Sequence, residues 1–284
     1  MAILNSNQMS VYVRGLDHAE GIAWGMDGCI YAGSEAGQVY RIDPAKPEAK
    51  VIAHTGGFLL GLALDGSHNI YACDAGHAVV QRVTREGRVR TYSHGAPNEP
   101  FILPNYPVFD RQGNLYVADS GGWKEDNGKI FKIHPGGESE VWCRELPEFP
   151  NGLCLNVDGT CLYAAMSLNP PRVSRIAIRA DGGAGAVETL VEMPRTVPDG
   201  LAFDTDANLY ISCYRPDAVY RYTSGGELQV LAEDYEGTAI AAPTNIAFCG
   251  KNRDMLLSTN LGRWHLTWYH LKAIGMPLNY PALP

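Results

Sequence analysis

Five polar residues recur at matched positions along this 284-residue chain, and each carries a side-chain oxygen. They are two carboxylates and three amides: Glu20, Asn105, Asn151, Asp199 and Asn245. Hard cations such as Ca²⁺ and Mg²⁺ prefer oxygen ligands, and two neighbouring carboxylates repel each other unless a cation or a proton intervenes. Because no His or Cys occupies these positions, a dedicated zinc or copper site is disfavoured. The residue types therefore favour a site for a hard divalent cation.

The spacing of these residues indicates that they belong to one repeat. Together with Leu60 at the sixth matched position, they are separated by intervals of 40, 45, 46, 48 and 46 residues. The core of a second strand follows after 11 residues in five copies, as from Asp199 to Tyr210. The copy that begins at Asn151 needs 12. A single Asn or Asp before Gly is typical of a turn, but agreement at five of six positions favours a shared site.

The elements around these positions repeat the order strand, turn, strand, turn, strand. The first unit opens at EGIAWGMDGCIYAGSEAGQVYRIDP and has KVIAH as its fourth strand. Repeats of this length are typical of propeller blades. The sixth unit stops after three strands, and SVYVRGL at residues 10–16 can complete it, which would remove exposed strand edges. The sequence thus predicts an all-β, six-bladed β-propeller, closed by an N-terminal strand, as a single domain over residues 1–284.

This architecture predicts where the polar residues meet. In a propeller the first strand of every blade lines the central channel, so a residue just before each such strand faces the axis. Glu20 and Asn245 would then be neighbours although they come from opposite ends of the sequence. We expect all five polar residues to surround one point at the mouth of the channel.

Composition and charge narrow the choice of partners. A hydrophobic fraction of 45% is ordinary for a globular chain, and a net charge of −8 leaves no basic stripe for a nucleic acid. The start MAILNSNQMS does not resemble a signal peptide, and no apolar run approaches the roughly 18 residues of a spanning helix. We therefore expect a cytoplasmic protein without nucleic-acid or membrane partners, whose oligomeric state stays open. The seven cysteines form no CxxC pair and are expected to act as reduced, apolar fillers.

Several segments resemble the regucalcin/gluconolactonase family, also called the luciferin-regenerating-enzyme family. They are HAEGIAW, FPNGLCL, VPDGLAFD, and TNIAFCGKNRDMLLST followed by GMPLNYP, and the resemblance extends from about Val11 to the end. It implies a propeller that binds one divalent cation, usually Ca²⁺ and sometimes Zn²⁺, Mn²⁺ or Mg²⁺. The family's metal-binding Glu, Asn and Asp correspond to Glu20, Asn151 and Asp199. Its further axis Asn, which contacts metal or substrate, corresponds to Asn105.

The chain departs from the animal gluconolactonases at two places. Leu103 stands where they have an Arg, and roughly at Trp123 they have an acidic loop residue. Both groups would bind the hydroxyl groups of a sugar. Because this chain lacks them, a sugar lactone is disfavoured and a less polar lactone is expected. The mouth is predicted to offer apolar residues instead: Phe58, Leu59, Leu60, Phe101, Tyr106, Trp123 and Trp264.

The resemblance and the residues together predict a divalent-metal-dependent hydrolase that opens a lactone or a related ester. The cation would polarise the carbonyl and stabilise the developing oxyanion, with Asp199 as general base or nucleophile. Glu20 and Asn151 would anchor the metal, and Asn105 would orient the substrate. Tyr106, Trp123, Asn245 and His18 are the other predicted substrate contacts, and His18 could also shuttle a proton.

Three alternatives stay open at this point. DRQGNLYVADSG and LDGSHNIYACDAG resemble NHL-type repeats, which belong to non-catalytic propellers that bind protein or RNA. Strictosidine-synthase-like propellers lack the metal and condense an amine with an aldehyde by means of a Glu. Phosphotriester hydrolysis would use the same cation as lactone opening. The matched pair Glu20 and Asp199 argues against the first two, because neither needs two acids on the axis.

Overall fold

Six four-stranded antiparallel sheets form a β-propeller in the computed structural model, which describes residues 2–283. The innermost strand of each sheet contacts the innermost strands of both neighbouring sheets. Pro243–Cys249 of the sixth sheet contacts Ala19–Trp24 of the first, so the ring is closed. The predicted six-bladed, all-β fold is confirmed.

The blades follow one another along the chain, and the strands within each blade run from the axis outwards. Blade one contains Ala19–Trp24, Ile30–Ser34, Gln38–Asp43 and Lys46–His54. Blade two contains Leu59–Leu64, Ile70–Asp74, Val79–Val83 and Val89–Ser93. Blade three contains Pro104–Phe109, Leu115–Asp119, Lys129–Ile133 and Ser139–Cys143. Blade four contains Pro150–Leu155, Cys161–Met166, Arg172–Ile178 and Ala184–Glu192. Blade five contains Val197–Phe203, Leu209–Arg215, Ala218–Tyr222 and Leu228–Glu233. Blade six contains Pro243–Cys249, Met255–Asn260, His265–Tyr269 and Met9–Arg14.

Both ends of the chain meet in blade six. Met9–Arg14 pairs antiparallel with His265–Tyr269, from Met9 opposite Tyr269 to Arg14 opposite His265. The predicted closure by an N-terminal strand is therefore confirmed. It removes the free edge that the third strand of this blade would otherwise present.

A buried tyrosine in the second strand explains the aromatic residue of the repeat. Tyr31, Tyr71 and Tyr210 are almost fully buried. The hydroxyl of Tyr71 donates to Asp65 Oδ2 at 3.1 Å, and the same bond joins Tyr210 to Asp204. The carboxylate of each Asp also accepts backbone N–H groups of its turn. One motif thus satisfies a buried hydroxyl and fixes the turn between the first two strands.

The C-terminal tail crosses the face of the propeller where the inner strands end. Residues 276–280, here called the tail strap, reach several blades. Asn279 Nδ2 donates to the carbonyl of Phe109 at 2.8 Å, and the Tyr280 hydroxyl donates to the carbonyl of Trp24 at 2.6 Å. These carbonyls end the inner strands of blades three and one. The strap therefore covers this end of the central channel.

Small features complete the fold. A 3₁₀ turn at Ser6–Gln8 and a short hairpin, which pairs Gly95–Ala96 with Glu99–Pro100, were not predicted.

All seven cysteines are free, as expected for apolar fillers. Within residues 2–283, no helix has the length and apolar character needed to cross a membrane.

Candidate functional site

A β-bulge lies at the matched position of every blade. In blade one, Ala19 pairs with Ser34 and Gly21 with Gly33, which leaves Glu20 out of the ladder. The other shifts fall at Leu59/Leu62, Pro104/Tyr106, Pro150/Leu153, Pro198/Leu201 and Pro243/Ile246. A bulge inserts an unpaired residue and re-aims its side chain. The repeat therefore directs one side chain per blade away from the regular pleat, at the same height in every blade.

The structure brings Asp199 together with two of the predicted amides. Asn151 Nδ2 donates to Asp199 Oδ2 at 3.2 Å, and Asn245 Nδ2 donates to Asp199 Oδ1 at 3.5 Å. Only 7% of the Asp199 surface is exposed. Amides from blades four and six thus bond the carboxylate of blade five, which is the convergence that the spacing predicts.

Glu20 is the second buried acid of this centre. Burial raises the pKa of Glu20 well above its ordinary value, and the nearby Asp199 carboxylate adds to the rise, while a hydrogen bond from Thr244 opposes it. Burial also raises the pKa of Asp199, against the hydrogen bonds from Asn151 and Asn245. Burial is the main cause of the raised pKa of both acids, since a buried negative charge without a counter-charge is unfavourable.

The donor set fits an oxygen-ligated cation. In the described part of the chain, the buried oxygens Asn151 Oδ1 and Asn245 Oδ1 have no hydrogen-bond partner. Buried polar atoms without partners are rare, and two of them beside two acids match what a hard cation requires. No three His, Cys, Asp or Glu side chains within residues 2–283 are grouped as a cation site. The oxygen atoms available to a cation here come from two carboxylates and from amide side chains.

Asn105 and Leu60 occupy the remaining two matched positions. Asn105 is buried, and its Nδ2 donates to Ser120 Oγ at 3.0 Å. It makes no hydrogen bond to either acid among the described residues. Leu60 is buried and apolar, so blade two contributes no ligand. Five of the six blades therefore place a side-chain oxygen at the matched position, and blade two is the exception.

A belt of hydroxyl groups, which sequence reasoning missed, holds the matched residues in place. Each hydroxyl comes from the second strand of one blade or the residue after it, and it donates to the inner strand of the next blade. Ser120 donates to Pro150 O at 2.8 Å, Ser167 to Pro198 O at 2.6 Å, Ser212 to Thr244 O, and Thr259 to Glu20 O at 2.6 Å. Three of these carbonyls directly precede Asn151, Asp199 and Asn245. The available signal was a Ser or Thr that follows these four matched positions after 13 to 16 residues: Asn105, Asn151, Asp199 and Asn245.

His18 lies outside this hydrogen-bonded group although it is two residues from Glu20. Its Nδ1 lies 2.9 Å from Asp17 Oδ1, and its Nε2 accepts the indole N–H of Trp264 at 3.1 Å. The backbone of His18 has a φ of 40°, an uncommon value for a residue other than Gly. The structure thus ties His18 to the loop of blade six and gives it no bond to an acid of the axis.

The two predicted aromatic contacts lie in different surroundings. Tyr106 is only 8% exposed, and burial raises the pKa of its hydroxyl. Trp123 is 60% exposed, and its ring packs edge-on against Phe149, two residues before Asn151, at 5.1 Å. Of the other apolar residues expected at the mouth, Leu59, Leu60 and Phe101 are buried, whereas Trp264 is 56% exposed. Trp123 and Trp264 therefore remain the accessible aromatic surface.

Comparison with known proteins gives one family and several distant relatives. The family profile described as SMP-30/Gluconolactonase/LRE-like region matches residues 18–261. Lactonase drp35 of Staphylococcus saprophyticus is 25% identical over 161 residues, 54% of this chain and 49% of that protein. STRICTOSIDINE SYNTHASE-LIKE 3 of Arabidopsis thaliana is 25% identical over 173 residues, 55% of this chain and 43% of that protein. The chain thus matches about half the length of these curated relatives.

Solved structures support the fold. Regucalcin from Agrobacterium tumefaciens, described as a calcium-binding protein, superposes with a TM-score of 0.76 and 16% identity. The superposition covers 97% of this chain and 99% of that chain. At this identity the likeness bears on the architecture alone.

Proposed function

The chain belongs to the SMP-30/gluconolactonase/LRE-like family, and from that premise we propose that it is a divalent-metal-dependent hydrolase that opens a lactone or a related ester. The observation that carries the proposal is the buried pair Glu20 and Asp199 beside two unpartnered amide oxygens. This arrangement has no evident structural benefit, because buried like charges destabilise a fold. It suits a protein that holds a cation for chemistry.

The residues that would hold the cation are Glu20, Asn151 and Asp199, with Asn105 beside them. Ca²⁺ is the first choice, because the donors are oxygen atoms only and Ca²⁺ tolerates irregular geometry. The similarity in fold to regucalcin, which is described as a calcium-binding protein, supports the same choice. When bound, the cation would supply Lewis-acid polarisation of the substrate carbonyl.

Asp199 is the proposed general base or nucleophile. As a base it would take a proton from the attacking water, whose oxygen bonds to the carbonyl carbon, and return a proton to the ring oxygen when the C–O bond breaks. A carboxylate whose pKa is raised by burial is better matched to this task than an exposed one. Asn151 and Asn245 would hold the carboxylate in one orientation through their hydrogen bonds.

The substrate proposed for this site is a small lactone or ester without many hydroxyl groups. Trp123 and Trp264 give the accessible surface around the channel large aromatic faces. By the resemblance to the animal gluconolactonases, Leu103 and roughly Trp123 stand where an Arg and an acidic residue would bind a sugar. Asn105 would orient the substrate, and Tyr106, Trp123, Asn245 and His18 stay predictions as substrate contacts.

Metal-free condensation of an amine with an aldehyde is the second candidate. The match to a strictosidine-synthase-like protein favours it. The presence of two buried acids with amides beside them favours the hydrolase, because the condensation of an amine with an aldehyde needs only one Glu. Metal dependence separates the two.

The test is lactone hydrolysis before and after chelation of the purified protein. We expect activity on a panel of aliphatic and aromatic lactones, loss with EDTA, and recovery with Ca²⁺ or another divalent cation. Asp199→Asn should lower kcat by roughly 10²–10⁴-fold and keep the fold, whereas Asp206→Asn, an exposed control in the same blade, should retain activity. Full activity after exhaustive metal removal would refute the proposal, as would normal turnover by the Asp199 variant.

A further inference from the structure

An apolar cavity of about 240 Å³ lies in the central channel beyond the acid pair. Its walls come from the later residues of the inner strands, such as Leu64, Phe109 and Leu155, and from the tail strap. None of the five matched polar residues lines it. The cavity therefore lies beside the polar centre, toward the end of the channel opposite the predicted mouth, and Tyr106 is the one predicted substrate contact that also lines it.

One small side chain from each blade leaves this space open. These residues are Ala23, Ala63, Val108, Cys154, Ala202 and Ala247. Interiors are normally packed with few voids larger than a water molecule, so larger side chains at these positions would fill the channel. Cys154 and Ala202 stand within inner strands yet are only half-buried, because their free surface faces the cavity.

The cavity opens to solvent beside the tail strap. Val157 and Leu278 both line it and are 54% and 48% exposed. The strap closes the other side through the bonds of Asn279 and Tyr280 to the inner strands. These two exposed side chains mark the solvent-facing edge of the cavity, which is where an elongated molecule would enter.

Arg111 stands at this opening. It is the only charged residue among the described residues that line the cavity. Its Nη2 donates to the carbonyl of Val157 at 2.6 Å, and within residues 2–283 it forms no ion pair with an acid. A guanidinium has five N–H donors, so several remain free for an anion.

We propose that this cavity binds a medium-chain aliphatic carboxylate, with the alkyl chain in the channel and the carboxylate on Arg111. Dry apolar cavities take up apolar ligands, and guanidinium groups bind carboxylates through paired N–H donors. At about 30 Å³ per water-sized group, the volume holds about eight methylene or methyl groups. Octanoate, with seven such groups, is the matching probe. The inference does not rest on the hydrolase proposal, since no residue of the acid pair takes part.

The experiment is isothermal titration calorimetry of the full chain with octanoate, in the presence of Ca²⁺ and after chelation. We expect saturable one-to-one binding in both conditions and much weaker binding of butyrate and 1-octanol. Arg111→Gln should weaken octanoate binding about tenfold or more, the loss typical of a hydrogen bond to a charged group. Ala202→Leu should also weaken it by filling the cavity.

Two controls separate this site from its alternatives. Arg90→Gln removes another exposed arginine and should leave octanoate binding unchanged. Asp199→Asn should also leave it unchanged, whatever that variant does to hydrolysis. Absence of saturable binding, equal binding of 1-octanol, or loss of binding in the Asp199 variant would each overturn the proposal.

Discussion

The imidazole of His18 is held in one tautomer by its neighbours. Trp264 donates its indole N–H to His18 Nε2 at 3.1 Å, and an indole nitrogen can only donate. Nδ1 therefore carries the hydrogen and donates to Asp17 Oδ1 at 2.9 Å, with Glu35 Oε2 3.5 Å away. The lone pair that His18 would need as a proton acceptor is thus occupied by Trp264. His18 can therefore act as a proton shuttle only when its hydrogen bond with Trp264 is broken.

Trp264→Phe tests this arrangement. Phenylalanine can keep the edge-on ring contact, at 5.5 Å between centroids, but has no N–H to donate. We expect diethyl pyrocarbonate to acylate His18 about fivefold faster in the variant, the factor that corresponds to one neutral hydrogen bond. Mass spectrometry of digested protein measures the rate, with His77 as an internal control. An unchanged rate would mean that Trp264 does not occupy the lone pair in solution.

At the scale of elements, four of the six bulged inner strands have a glycine directly after the matched residue, and each of these glycines lies against the next blade. A Cβ on Gly152 would overlap the carbonyl oxygen of Asp199 and lie 2.8 Å from Gly200 Cα. A Cβ on Gly21 would overlap the carbonyl oxygen of Leu60 in the same way. The Gly in EG, NG and DG is therefore required by the close approach of the next blade and not by a turn. The same contact couples the position of Asp199 to blade four.

Gly152→Ala is expected to lower the free energy of unfolding by about 1–3 kcal/mol, because the inner strands of blades four and five must move apart. The movement should also weaken cation binding at Asp199, seen as a smaller rise in Tm on addition of CaCl₂. Gly225→Ala is the matched control, since the nearest atom to its new Cβ is Thr223 Oγ1 at 3.7 Å. Equal stability of the two variants in urea denaturation would contradict the interpretation.

At the scale of the whole molecule, the two chain ends join in a strand pair that contains a buried histidine. His265 begins the strand that receives the N-terminal strand, and it is 2% exposed. Its ring lies 3.0 Å from the carbonyl of Ala239. Burial lowers the pKa of His265, and Arg14 and Arg263 add to the effect, against the hydrogen bond to Ala239. The folded protein therefore favours a neutral ring at this junction.

This lowered pKa predicts a loss of stability in acid. Below a pH of about 6.5 an unfolded histidine binds a proton while His265 does not, so unfolding becomes more favourable as the pH falls. His265→Gln keeps a donor and should reduce the decline in unfolding free energy between pH 6.5 and 5 by up to about 1.4 kcal/mol per pH unit. Urea denaturation across this range measures it, with the exposed His54→Gln as control. If the free energy of unfolding depends on pH in the same way in wild type and His265→Gln, His265 is not the source of the acid sensitivity.

Much of the fold was predictable because it rests on repetition. The interval between matched positions and the tyrosine found in five of the six second strands are local patterns, and they identified six blades and their order. The incomplete sixth unit also predicted closure, since three strands leave an unpaired edge. The convergence of Asp199 with Asn151 and Asn245 followed from the same register. The cation, the reaction and the single-domain organisation over residues 1–284 stay predictions.

The amino-acid sequence by itself determined which side chains share a register, because strand alternation and turn chemistry act over a few neighbouring residues. Only the tertiary structure decided how closely the blades approach one another. The close approach of the blades makes Gly152 necessary and lets Ser167 donate a hydrogen bond to the next blade. It also brings Trp264 within hydrogen-bond distance of His18. The small side chains of the inner strands leave a cavity in the channel. Such contacts join residues far apart in sequence, and their energies depend on ångström-scale separations that no local pattern specifies.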